Sequence, residues 1–218
     1  MRKKLTQWFG LRIARLVRQA EKTLDAEQLP SFANEPQGLK IESPSRIINA
    51  AHIMMGDNVS LGPGCMINAI QRYPGKFLTD LPPRTEVQSF NPSIEVGDRV
   101  SATGYLTISA VQSVVIEEDV IFASHVFVSD HAHGRRSVDI PYKYQPLDDI
   151  ASVRIGKGSW IGEHAVLMPG VNVGEYAIVG ANSVVNKDVP ARSIVAGAPA
   201  RVVRTWSESE SDWVAPKG

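Results

Sequence analysis

From Ile155 to Pro190 the chain repeats itself every six residues. Ile155, Ile161, Leu167, Val173, Val179 and Val185 share one register, with glycine next at Gly156, Gly162, Gly174 and Gly180. The fifth position of each unit is Ser159, Ala165, Val171, Ala177, Ser183 or Val189, all small or β-branched. Neither the 3.6-residue period of a helix nor the alternation of a half-buried strand places one apolar residue in six. A hexapeptide period belongs to parallel β-helices, in which each unit is a short flat strand followed by a corner. The first residue points into a narrow prism and the fifth must be small where the chain turns. The glycine allows either a positive φ or a close backbone approach. Successive coils lie about 4.8 Å apart and hydrogen-bond along the axis, so the apolar column becomes a continuous core.

The same register extends upstream with interruptions. Met55, Leu61 and Ile67 form one set, Val96, Ala102 and Ile108 a second, and Ile116, Phe122 and Val128 a third after a slip of two residues. The slip predicts a small bulge between Val111 and Val114. The period fails over 73–92, among Pro74, Pro82 and Pro83, and again after Val128 for about twenty residues rich in Asp, Arg, Tyr and Pro. Such insertions in a solenoid collect on one face, often the binding face, and long loops in compact folds are usually functional. The expected organisation is an N-terminal helix and connecting segment over 1–46, a β-helix over 47–204 with loops near 73–92 and 134–153, and a loose polar tail over 205–218. The fold class is all-β apart from that helix. Cys65 takes a fifth position, where a small residue packs a corner, and as the only cysteine it excludes an internal disulfide.

Residues 3–25 read as an amphipathic helix with Leu5, Phe9, Ile13, Leu16, Val17 and Ala20 along one side. Residues 1–22 carry seven basic side chains against one acidic, although the whole chain balances 23 Lys and Arg against 23 Asp and Glu. Packing on the β-helix or on a neighbouring subunit is the simpler role, since Gly10 weakens the helix. Trp8 and Phe9 beside arginines also fit attachment at a membrane surface. The balanced total points away from nucleic acid. With no apolar stretch long enough to cross a bilayer and no signal peptide, a cytoplasmic protein is expected, with peripheral contact at the inner membrane face as the alternative.

The second break opens with Ser129, Asp130, His131, Ala132, His133 and Gly134. Histidine titrates near neutrality, so a loop histidine is a candidate base for removing a hydroxyl proton. Asp130 is open to three readings: an orienting carboxylate, a sugar-binding carboxylate or a solvated turn aspartate. His52, His125 and His164 fall at or near outward corners, where a histidine is most simply a solvated polar residue.

The run WIGEHAVLMPGVNVGEYAIVGANSVVNKDVPARSIVAGAPARVVR resembles the signature of the hexapeptide-repeat acyltransferases, left-handed β-helix enzymes that use acetyl-CoA. It is most similar to the branch that O-acetylates sugars and surface polysaccharides. The resemblance covers roughly residues 94–204 and, more loosely, 47–70. It implies His131 as the catalytic base, with His133 as runner-up, and a homotrimer with acetyl-CoA laid between neighbouring subunits. Carried over by motif position, Ala123, Glu163, Ala181, Asn186, Lys187, Arg201 and Arg204 are the expected acetyl-CoA contacts. Simple-sugar acetyltransferases of this fold carry an acidic sugar-binding residue in the coil before the histidine. Here the aligned segment reads TISAVQS, with Val111 in that place, which favours an envelope-glycan acceptor, free or lipid-linked, over a galactoside. Three alternatives stay open: N-acetylation of a nucleotide-linked amino sugar, a zinc hydratase using His125, His131 and His133, and a non-enzymatic trimeric scaffold. No resident metal is expected for the leading reading.

Overall fold

A computed structural model describes residues 8–17, 29–75, 78, 80–82 and 85–216. Three stacks of parallel strands form the walls of a prism. One runs through Lys40–Ile41, Ser60–Leu61, Ser101–Ala102, Ile121–Phe122, Trp160–Ile161 and Ile178–Val179 to Ser193–Gly197. The second comprises Arg46–Ile48, Met66–Ala69, Thr107–Ala110, Phe127–Ser129, Val166–Leu167 and Val184–Val185. The third comprises Ile53–Met55, Ser93–Val96, Ser113–Ile116, Val153–Ile155 and Asn172–Val173. First-position residues fill the prism: Ile67, Ile108, Phe122, Ile155, Ile161 and Leu167 all have 0% exposure. Fifth-position Ser159, Ala165, Ala177 and Ser183 are equally buried at the corners.

The glycines of the repeat serve close approach, not a left-handed turn. A Cβ on Gly156 would sit 2.7 Å from the Glu175 nitrogen, and one on Gly174 would sit 2.4 Å from that of Ala191. Positive φ falls instead on the fourth position of the units, at Gly158, His164, Gly170, Tyr176 and Asn182. There the backbone N–H donates to the previous coil, as from Tyr176 to Lys157 O at 2.9 Å and from Asn182 to Glu163 O at 2.8 Å.

Coil length varies at one corner only, between the second and third walls. Trp160 pairs with Ile178, eighteen residues on, but Thr107 pairs with Phe127, twenty on. The two extra residues are the bend at 111–112, where the slip in register placed a bulge. Both long insertions leave from this same corner. Each carries a short antiparallel pair of its own, Arg72–Tyr73 with Gln88–Ser89 and Ala132–His133 with Leu147–Asp148.

The ends depart from expectation. Pairing starts ahead of residue 47, because Lys40–Ile41 already lies against Ser60–Leu61 and Arg46–Ile48 against Met66–Asn68. Pro44 and the polar corner around it hide that coil from a hexapeptide reading. The C-terminal segment is no loose tail: Ala200–Ser207 folds back antiparallel on Ser193–Gly197 and pairs with Asp212–Val214. Trp206 and Trp213 are direct cross-strand partners with ring centroids 5.5 Å apart. Residues 8–17 form a helix, and the remainder of the expected 3–25 helix lies outside the described residues. Trp8, Phe9, Leu11, Ile13, Leu16 and Val17 are all exposed on it. Among the described residues no helix is long and apolar enough to cross a membrane.

Candidate active site

The strand Phe127–Ser129 ends at the corner where extra residues accumulate, and the next two residues are Asp130 and His131. Asp130 has no exposed surface. One of its oxygens accepts the Val111 N–H at 2.9 Å, and the other accepts those of Gln112 at 2.7 Å and Ser113 at 2.8 Å. Successive backbone N–H groups in a bend form a concavity that holds an anion, and here the anion is a side chain of the next coil. The two-residue bulge at 111–112 therefore has a structural purpose: it turns three amides toward one carboxylate.

That carboxylate also meets His131, whose Nδ1 lies 2.8 Å from Asp130 Oδ1. An ionised carboxylate only accepts, so Nδ1 carries the hydrogen and Nε2 keeps the basic lone pair. Ser129 Oγ, 3.4 Å from the same Nδ1, donates to His131 O at 2.8 Å and so fixes the residue from its backbone side. The His131 side chain is 10% exposed, so it is not sealed from solvent. Both ends of the insertion meet here, since Ala151 N donates to Asp130 O at 2.8 Å. Burial of Asp130 departs from a solvated turn aspartate, and its contact with His131 supports orientation over sugar binding.

His133 is exposed two residues further on. Its Nδ1 lies 3.1 Å from the Tyr73 hydroxyl, which donates to Lys143 O at 2.7 Å. Gln88 bridges the same two insertions by accepting from Leu147 N at 2.6 Å and donating to Leu147 O at 3.1 Å. Within the second insertion Gln145 is buried, donating to Ser137 O and Ile140 O. Gly134 closes its base, where a Cβ would come 2.2 Å from Pro146 O. Tyr73, Gln88 and Gln145 were not singled out by sequence, because a polar residue in an aperiodic loop carries no register.

The remaining expected contacts fall into three groups on a single chain. Ala123, Glu163 and Ala181 line the corner between the first and second walls, on successive coils, while Asn186 and Lys187 follow the last second-wall strand, Val184–Val185. Arg201 and Arg204 are exposed on the C-terminal hairpin, Arg204 donating to Trp213 O at 3.3 Å. Val111 is 2% exposed, and the bend presents the exposed Gln112 instead. The three histidines considered for zinc do not assemble. His125 stacks between Tyr105 and His164, at 4.5 Å and 4.8 Å between centroids, in a ladder on the other corner. A cavity of about 510 Å³ beside Arg154, Asn172 and Asp188 lies on the third wall and does not include His131.

A family model described as bacterial transferase hexapeptide (six repeats) matches residues 152–187. An Escherichia coli (strain K12) protein provisionally named lipopolysaccharide biosynthesis O-acetyl transferase WbbJ is 31% identical over 180 residues, covering 79% of this chain and 82% of that one. The galactoside O-acetyltransferase of the same strain is 31% identical over 127 residues, 57% of this chain and 60% of its own. Among solved structures, AntD, an N-acyltransferase from Bacillus cereus in complex with dTDP and 3-hydroxybutyryl-CoA, aligns with a TM-score of 0.63 and 18% identity. The alignment covers 82% of this chain and 86% of that one, a likeness of fold.

Proposed function

Because this chain belongs to the hexapeptide-repeat family of acyltransferases, left-handed parallel β-helices, we propose that it transfers acetyl from acetyl-CoA to a sugar hydroxyl, with His131 as general base. The observation that carries the assignment is the buried Asp130 carboxylate on His131 Nδ1, which leaves Nε2 as the proton acceptor. His131 Nε2 takes the hydroxyl proton as the sugar oxygen forms its bond to the thioester carbonyl carbon. The tetrahedral intermediate then collapses, the carbon–sulfur bond breaks, and the departing thiolate takes the proton back from the imidazolium. An acetyl ester and free CoA thiol result, with no covalent enzyme intermediate. Cys65 is buried, and burial pushes its thiol pKa up, which suits packing and not nucleophilic attack.

The acceptor in this reading is an envelope glycan or its lipid-linked precursor, in keeping with the name of the relative that this chain matches over most of its length. Placement of Ala123, Glu163 and Ala181 on one corner, Asn186 and Lys187 after the last second-wall strand, and Arg201 and Arg204 on the C-terminal hairpin supports an acetyl-CoA groove completed by a neighbour in a homotrimer. The exposed apolar side chains of residues 8–17, beside Arg12 and Arg15, support peripheral contact with the inner membrane face through residues 3–25.

The test supplies the enzyme with acetyl-CoA and paired acceptors that differ only in a hydroxyl or an amine at the same ring carbon. O-acetylation predicts CoA thiol release with the hydroxyl sugars and a product that loses acetyl in mild alkali. An alkali-stable amide formed only from the amino sugars would instead establish N-acetylation.

A further inference from the structure

Tyr73 has one hydroxyl proton, and two neighbours compete for it. Lys143 O at 2.7 Å is a carbonyl and can only accept, so the proton lies there. Burial pushes the Tyr73 phenol pKa up, so the proton stays on the oxygen near neutrality. His133 Nδ1, 3.1 Å from the same oxygen, must then be the donor to it. With the hydrogen fixed on Nδ1, the Nε2 of the exposed His133 is a hydrogen-bond acceptor. The ring is further held by an edge-to-face contact with Tyr73, centroids 5.5 Å apart. Neither loop presents this nitrogen alone, because the Tyr73 and Gln88 bridges make the two insertions one support.

We propose that His133 is an acceptor-binding residue whose Nε2 accepts a hydrogen bond from a second hydroxyl of the sugar that reacts at His131. This deepens the O-acetyltransferase reading and rests on it. His131 and His133 then hold the same tautomer for different ends, one nitrogen taking a proton and the other only sharing one. The two residues are separated by one amino acid, so their α-carbons are at most about 7 Å apart, within the span of a single pyranose ring and its hydroxyls. A lone-pair acceptor selects a neutral donor, so the subsite takes a hydroxyl and disfavours a phosphate or carboxylate. His133 is thereby a specificity-determining group, not a second base.

The experiment measures thiol release with acetyl-CoA and methyl glycosides of glucose, galactose, mannose and N-acetylglucosamine, together with the monodeoxy analogues of whichever is acetylated. For His133→Ala the expected result is a KM for the glycoside raised about tenfold, the scale of one neutral hydrogen bond, with kcat and the KM for acetyl-CoA within about twofold. One monodeoxy analogue should reproduce that rise with the native enzyme and show no further rise with His133→Ala. Glycoside turnover with an unchanged glycoside KM in His133→Ala overturns the proposal while leaving the O-acetyltransferase reading intact. Absence of turnover with every glycoside, alongside amide formation from amino sugars, defeats that reading itself. Independently of any acceptor, long-range ¹H–¹⁵N NMR should find His133 as the Nδ1–H tautomer, and an Nε2–H tautomer would overturn the proposal.

Discussion

His131 Nδ1 and Asp130 Oδ1 are 2.8 Å apart, and the carboxylate that holds the imidazole is itself held by the amides of Val111, Gln112 and Ser113. A side chain on one coil thus links the base to a bulge on the coil before it. In the proposed mechanism the link is both structural and catalytic, and substitution can separate the two.

Asp130→Ala leaves three amides and an imidazole without their anion in a buried site. Breaking a buried charged network from one side costs about 3–5 kcal/mol, so the melting temperature should fall by several degrees. Asp130→Asn keeps the volume but brings an amide group where only an acceptor fits. It should lower kcat about ten- to a hundredfold, less than loss of the base itself. Thermal melts and thiol-release kinetics check both, and an Asn variant with native kcat would show that orientation is set elsewhere.

Two glycines should respond in opposite ways to alanine. A Cβ at Gly62 would meet Thr103 O at 2.0 Å, a backbone atom of the next coil that cannot move alone. Gly62→Ala should destabilise by about 1–3 kcal/mol. Gly10 has open space around its Cβ position in the helix, so Gly10→Ala should instead raise helix propensity by about 1 kcal/mol. Chemical denaturation reads the first change and far-UV circular dichroism the second.

Asp119 and Arg99 form a paired contact at 2.7 and 2.8 Å on an exposed corner, and Arg99 holds the Asp119 carboxyl below its ordinary pKa. A depressed carboxyl contributes stability above its unfolded pKa and loses it as pH falls through the folded value. The stability difference between native protein and Asp119→Asn should therefore be present at pH 7 and shrink below about pH 4. It should also shrink in 1 M salt, because the pair is exposed. Melting temperatures across pH at two salt concentrations provide the check.

If the N-terminal helix lies on a membrane, vesicles containing anionic lipid should sediment the protein and zwitterionic vesicles should not. High salt should weaken the binding. Phe9→Ala with Leu16→Ala should abolish it without changing the oligomeric mass measured by light scattering. A variant that leaves vesicle binding unchanged but falls apart into smaller species would instead place this apolar face between subunits.

The β-helix was legible wherever a first-position apolar residue recurred, because burial in a narrow prism leaves no choice at that position. It was hidden at the first coil, where Pro44 and a polar corner replace the pattern, and at the C-terminal hairpin, where cross-strand contact of Trp206 with Trp213 does what periodicity cannot announce. His131 was legible as a loop histidine next to a carboxylate. What sequence alone did not reveal was that the two-residue slip at 111–112 and Asp130 belong together, since amides leave no residue-type signature. The Tyr73 and His133 contact was invisible for the same reason: the two side chains lie sixty residues apart in aperiodic loops.

The most direct test of the account is CoA thiol release by His131→Ala with a sugar acceptor that the native enzyme acetylates, alongside a melt showing that the variant is folded. A positioned general base contributes about 10²–10⁴-fold, so the variant should lose at least about a hundredfold in kcat while its melting temperature stays near native. A folded His131→Ala enzyme with native kcat would contradict the assignment of His131 as the base.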